Sequence, residues 1–241
     1  MSTPTATRVA AAALQQAFDA LAQYNRGSGR DTLKPIDDAA MAAAADAGLR
    51  ADIEARLIAT LRSPASAVAK DYACGRLALI GGPEAVPALA DLLPNTDLAH
   101  SATDALQRMT CDEAVRALRE TLPKLAGLPL AGVITALGAR RDLASVGALT
   151  ALLSNTDALV ASAAAAALGE IGSPAAATAL REFLTKAPPA WTGVLADACL
   201  RCVTRLKASG ELMEAHELAD ALLSTGPASY VRDAFKALDL R

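Results

Sequence analysis

The chain has 241 residues, 53% hydrophobic and 20% charged, with a formal net charge of −3; so large an apolar share excludes a disordered chain, and acids and bases are interleaved, leaving no basic stretch of the kind that grips a phosphate backbone. Sixty residues are Ala and 36 Leu, against 10 Val and 6 Ile, a balance that favours helix and excludes a β-sandwich or a Rossmann sheet. With three Phe, three Tyr and one Trp, the core must be built from small aliphatic side chains, with the helices close together.

Residues 5–24 read as one helix, because Val9, Ala13, Ala17, Leu21 and Tyr24 recur every three or four positions. Residues 25–35 contain Gly27-Ser28-Gly29 and read as a loop. Arg26, Arg30 and Lys34 there are answered by Asp31, Asp37 and Asp38, so a solvated loop is expected rather than an anion site. Residues 36–47 form a further helix, and 1–52 as a whole are expected to cap the repeats that follow. The apolar run after Arg8 ends at Gln15, too soon for a secretory signal. The longest uncharged run, 125–139, is shorter than the ~18–20 residues that cross a bilayer. A cytoplasmic chain, without membrane or nucleic-acid partners, is the expectation.

From residue 53 onward the chain repeats. Leu-Leu-x-Asn-Thr-Asp occurs at 92–97 and again at 152–157. The leucine closing each first helix falls at Leu61, Leu93, Leu122, Leu153, Leu184 and Leu223, giving six units over 53–241. Second helices are predicted at 67–80, 98–109, 129–138, 158–171, 191–207 and 228–238. Asp97 and Asp157 stand where an N-cap carboxylate is needed. Gly81-Gly82-Pro83 and Gly172-Ser173-Pro174 each end one helix on a glycine able to turn left-handed and start the next on proline. A lone hairpin cannot bury its apolar face, so the units must stack. The predicted fold is an all-α, right-handed α-solenoid of about six hairpins behind the N-terminal cap.

Ile80-Gly81-Gly82-Pro83-Glu84-Ala85-Val86-Pro87-Ala88-Leu89-Ala90-Asp91-Leu92-Leu93 and Ala165-Ala166-Ala167-Leu168-Gly169-Glu170-Ile171-Gly172-Ser173-Pro174 resemble bacterial HEAT repeats, including the phycobilisome lyase type. The resemblance covers 53–241 and is strongest over 67–185. It implies a non-catalytic scaffold that holds a protein or peptide on the surface lined by the second helices. The alternative that it carries is a lyase or chaperone-like enzyme acting on a chromophore or client protein. Di-iron hydroxylases of this architecture carry several His-Glu pairs, and here there is one, His216-Glu217.

Four groups of residues are candidates for partner contact. His100, Asp104 and Arg108 stand four apart on one helix face, a polar stripe that also has the geometry of an acid–base or metal half-site. Asp197, Arg201 and Arg205 form a second stripe, and Arg140, Arg141 and Arg232 complete the set. Around Ala163 and Ala167 both faces of the helix are small, so a second chain is able to approach there. Phe235 sits in a final helix with few polar residues; this last unit or helix 158–168 is expected to contact a second copy or a further domain, the competing account being that the longer spacing before Leu223 lets the last pair fold back and cap itself. Cys74, Cys111, Cys199 and Cys202 are read as small apolar residues, since Cys199-Leu-Arg-Cys202 lacks a second pair for zinc and lies mid-helix, away from an activating N-terminus. No P-loop, GxSxG or HExxH is present in the sequence. No cofactor, no metal and no catalytic residue are expected.

Overall fold

The computed structural model describes residues 4–238, and among them the chain is all-α. Its helices are α1 (Pro4–Ala22), α2 (Lys34–Ala42), α3 (Ala47–Arg62), α4 (Ala67–Ile80), α5 (Val86–Ala90), α6 (Ala99–Arg108) and α7 (Asp112–Thr121), followed by α8 (Gly127–Ala139), α9 (Val146–Leu152), α10 (Ala158–Ile171), α11 (Pro174–Leu184), α12 (Thr192–Ser209), α13 (Leu212–Ser224) and α14 (Ser229–Ala237). The six second helices therefore lie within two residues of their predicted bounds. The side chain of Val9 is outside the described residues.

The helices form two compact units, Met1–Thr121 and Leu122–Arg241. In the first, α1, α3, α5 and α7 make one row and α2, α4 and α6 the other. In the second, α9, α11 and α13 make one row and α8, α10, α12 and α14 the other. Most helices bury their apolar stripes against a hairpin partner and against neighbours in the row, while α8 and α14 pack chiefly on α10 and α12 of their own row, which is how elements this short become stable. The N-terminal segment is itself a hairpin, α1 with α2, that continues both rows.

Sequence chemistry explains the boundaries. Asp46 accepts the Leu49 N–H at 3.0 Å and starts α3, so the helix expected over 36–47 stops at Ala42 and residue 47 opens the next one. Position 52, drawn as the end of the cap, falls inside α3. Within the expected loop 25–35, Arg30–Leu33 form a 3-10 turn and Lys34 already belongs to α2. Ser66, Asp157 and Ser173 cap α4, α10 and α11 through the N–H groups of Ala69, Leu159 and Ala176.

Asp97 does not cap α6. Asn95 accepts the Asp97 N–H at 2.9 Å through its side chain, and its carbonyl takes the N–H groups of Leu98 and Ala99, so the helix begins beyond Asp97. Gly172 is left-handed at φ 59°, as its place after α10 requires. Gly81 is extended, at φ −62°; what it needs is space, since a Cβ there would stand 2.5 Å from the Leu77 carbonyl oxygen.

The link from α4 to α5 is held from α3. Arg50 Nε donates to the Ile80 carbonyl at 2.7 Å, and the Gly82 N–H donates to buried Glu54 at 2.7 Å. One helical turn thus satisfies both the end of one helix and the start of the next.

The scarcity of aromatics is answered by close helix approach. A Cβ on Gly138 of α8 would lie 2.7 Å from Ala167 Cα in α10, and one on Gly169 of α10 would lie 2.5 Å from the Ala198 carbonyl oxygen in α12. Helix α10 is therefore packed on both sides. This corrects the reading of Ala167 as a self-association residue, because it is 3% exposed; Ala163 is half-buried. Phe235 is corrected likewise. It is 0% exposed, since α14 turns Val231 and Phe235 inward against α12.

Candidate binding surface on the second helices

In the first unit, α4 and α6 are adjacent in their row, and their outer faces meet the end of α1 and the 3-10 turn before α2. An open cleft of about 340 Å³ results, lined among others by Tyr24, Arg30, Asp71, Tyr72, His100 and Asp104. Two of the three residues singled out on α6 therefore do line a recess. The third, Arg108, donates from Nε to Asp104 at 3.1 Å and is exposed beside it.

Two sets of hydrogen bonds fix residues that line the cleft, one through Asp37 of α2 and one between α4 and α6. Arg76 Nη1 donates to Asp37 Oδ1 at 2.7 Å, and the Tyr72 hydroxyl donates to the same oxygen at 2.7 Å. The Arg76 guanidinium lies over the Tyr72 ring, 5.4 Å from its centroid. Burial, then the Asp37 hydrogen bond, pushes the Tyr72 hydroxyl well above its ordinary range, so it stays a donor. Ser101 is hydrogen-bonded to Asp71. This arrangement presents hydroxyls, carboxylates and guanidinium groups whose own bonds hold them in place, which is the preorganisation that recognition of a polar chain requires.

Arg76 also lines a second recess, an apolar groove of about 430 Å³ between α2 and α4 whose walls include Ala40, Met41, Leu79 and Ile80. Met41 is 79% exposed and Leu79 62%. Sequence reasoning missed Asp37, Met41, Asp71, Tyr72, Arg76 and Leu79.

In the second unit, Arg201 and Arg205 do sit together on the outer face of α12, bordering a groove of about 500 Å³ with Leu200, Thr204 and Ala234. Their partner is Glu170 of α10, which accepts from both at 2.9 Å. The Arg205 bond first, and the Arg201 bond second, hold the Glu170 carboxyl below its usual range. Asp197, the remaining member of that stripe, is exposed and borders no part of this groove. Arg140 follows the last residue of α8 and Arg141 comes next at φ 51°, so both belong to the turn before α9. Arg232 donates to the Pro227 carbonyl in the loop preceding its own helix.

Cys74, Cys199 and Cys202 are buried and Cys111 is half-buried. Burial pushes the thiols of Cys74 and Cys202 up to about 12, and that of Cys199 upward as well. Among the described residues no three His, Cys, Asp or Glu side chains are grouped to hold a metal ion. His216 and Glu217 diverge, the ring meeting the Leu212 carbonyl of α13 and the carboxylate pairing with Arg181 of α11. No described helix is long and apolar enough to cross a membrane.

Stacked antiparallel hairpins of this kind define an α-helical repeat protein. Residues 130–198 match the family model of HEAT repeats, so HEAT repeats are what that stretch of the chain contains. No curated protein matches the sequence. Among solved structures, human deoxyhypusine hydroxylase in complex with glycerol is similar at 18% identity and a TM-score of 0.41, over 99% of each chain.

Proposed function

We propose that the protein is a non-catalytic scaffold that holds a peptide or protein segment along its second helices, with the row α2, α4 and α6 as the principal surface. The observation that carries this reading is the pairing of two recesses on that row, one polar and one apolar, with Arg76 in the lining of both. A peptide offers that same alternation of polar and apolar groups along its length. Several groups of the polar cleft are held by bonds of their own, Tyr72 and Arg76 to Asp37 and Ser101 to Asp71, which suits holding a ligand in a fixed register better than moving protons.

The test is selection of random peptides displayed on phage against the whole chain, followed by affinity measurement with synthetic copies. Gly75→Arg is the informative variant, because a Cβ at Gly75 has open space around it while the residue lines the cleft. Selected peptides should bind the wild type and lose about tenfold or more on Gly75→Arg, with Arg116→Ala, at an exposed position of α7, unchanged. Recovery of no binding peptide, or binding indifferent to Gly75→Arg, would overturn the proposal.

A further inference from the structure

The groove between α2 and α4 is chemically narrower than a generic apolar recess. Its floor is aliphatic, and two of its outer side chains, Met41 and Leu79, are among the most exposed large apolar groups described. Such exposure has a standing cost in water and is a mark of contact surfaces. Methionine in particular adapts its shape to different apolar partners.

The charged groups on the same groove are Arg50, Arg76 and Asp37. Asp37 is already engaged, its Oδ1 accepting from both Arg76 and Tyr72. Arg50 uses Nε on the Ile80 carbonyl and Nη2, at 3.5 Å, on the Gly81 carbonyl; among the described residues its Nη1 meets no acceptor, and the side chain is exposed. The bond from Nε fixes the guanidinium at the groove's rim. The groove's own lining therefore carries a net positive charge beside an apolar floor, while the Glu54 carboxylate, one turn along α3 from Arg50, is buried and bonded to the Gly82 N–H. A guanidinium with spare N–H groups pairs best with a carboxylate.

We infer that this groove binds an acidic peptide segment in which a leucine-like side chain, buried against Met41 and Leu79, stands next to a Glu or Asp that pairs with Arg50. This rests on the scaffold reading above and names the chemistry of its ligand. Charge complementarity selects the occupant: a segment with Lys or Arg beside the apolar residue would bring like charges together.

The probe is the tetrapeptide acetyl-Glu-Leu-Leu-Glu-amide, with its Gln and Lys counterparts, titrated at millimolar concentration into the whole chain carrying isotope-labelled methionine methyl groups. The Met41 methyl resonance should move saturably with the Glu peptide. It should move about tenfold more weakly with the Gln peptide and not at all with the Lys peptide. Added salt should weaken the Glu titration. Arg50→Gln should bring the Glu peptide down to the Gln peptide's affinity. A melting curve on that variant checks that the α4–α5 link survives, and Leu79→Glu, at an exposed site, should abolish the shift independently. A Met41 resonance that is silent, or that responds equally to Glu and Lys peptides, overturns the inference. So does a dimer in light scattering that Leu79→Glu dissolves, since a second copy would then fill the groove. If phage-selected peptides still depend on Gly75 while Met41 is silent, the scaffold reading stands and only this ligand assignment falls.

Discussion

Replacing Gly138 by Ala tests whether close helix approach holds the second unit together. In an isolated helix the exchange would stabilise by about 1 kcal/mol, because glycine loses more backbone entropy on folding. Here the new methyl would stand 2.7 Å from Ala167 Cα and 2.8 Å from its Cβ. Carbon atoms settle at ~3.5–4.0 Å, so α10 would have to retreat by ~0.8 Å. It has nowhere to go, since a Cβ at Gly169 on the α12 side would already lie 2.5 Å from the Ala198 carbonyl oxygen. Overpacking of this kind costs ~1–3 kcal/mol, leaving a net loss of ~0–2 kcal/mol once the propensity gain is subtracted. Gly75→Ala supplies the internal comparison, being mid-helix in α4 with nothing within 4 Å of its Cβ; it should stabilise by about 1 kcal/mol. Urea denaturation followed by circular dichroism reads both, with slopes compared as well as midpoints because stacked repeats need not unfold in one step. Equal stabilisation by the two substitutions would refute the packing argument.

Three further outcomes follow from the described geometry. Asp157→Ala removes an N-cap and should cost about 1 kcal/mol, whereas Asp97→Ala should stay within about 0.5 kcal/mol in the same denaturation assay. The depressed folded-state pKa of Glu170 means its stabilisation is complete above the unfolded value and disappears as pH falls through the folded one; melting temperatures below about pH 4 should therefore fall less steeply for Glu170→Gln than for the wild type, and superimposable acid limbs would count against the Arg pairing. Because burial keeps Cys74, Cys199 and Cys202 protonated, a disulfide-exchanging thiol reagent at mildly alkaline pH should titrate Cys111 in the native chain and the other three only after unfolding; a faster reaction of more than one thiol would show the interior to be open.

The helical repeat was legible because it rests on local chemistry. Apolar spacing, Asp157 and the Gly172-Ser173-Pro174 junction all act within a few residues, and α10 has the bounds its sequence predicts. Asp97 shows where local reading fails: it shares the Asn-Thr-Asp motif with Asp157, and both N–H groups go to the asparagine two residues earlier, yet the further turn built on the Asn95 carbonyl moves the start of α6 past it. Ala167 and Phe235 were misplaced for another reason. One helix's sequence shows its small or apolar faces but not how many neighbours cover them, and α10 has close neighbours on both sides. The polar cleft was half visible, as His100 and Asp104, because those two share a turn. Tyr72, Arg76 and Asp37 meet only through the packing of α2 on α4, across sequence separations of 35 and 39 residues that no periodicity reports.

The single tryptophan has a consequence for how the chain can be observed. Trp191 stands just before α12, its ring edge-on to Phe183 of α11 at 5.9 Å, so intrinsic indole fluorescence reports the α11–α12 junction and little else. Two of the three tyrosines, Tyr24 and Tyr72, are in the first unit and Tyr230 is in the second with Trp191. Red-edge excitation, which reaches the indole and not the phenols, therefore follows the α11–α12 junction alone, whereas shorter wavelengths excite the tyrosines of both units together with Trp191.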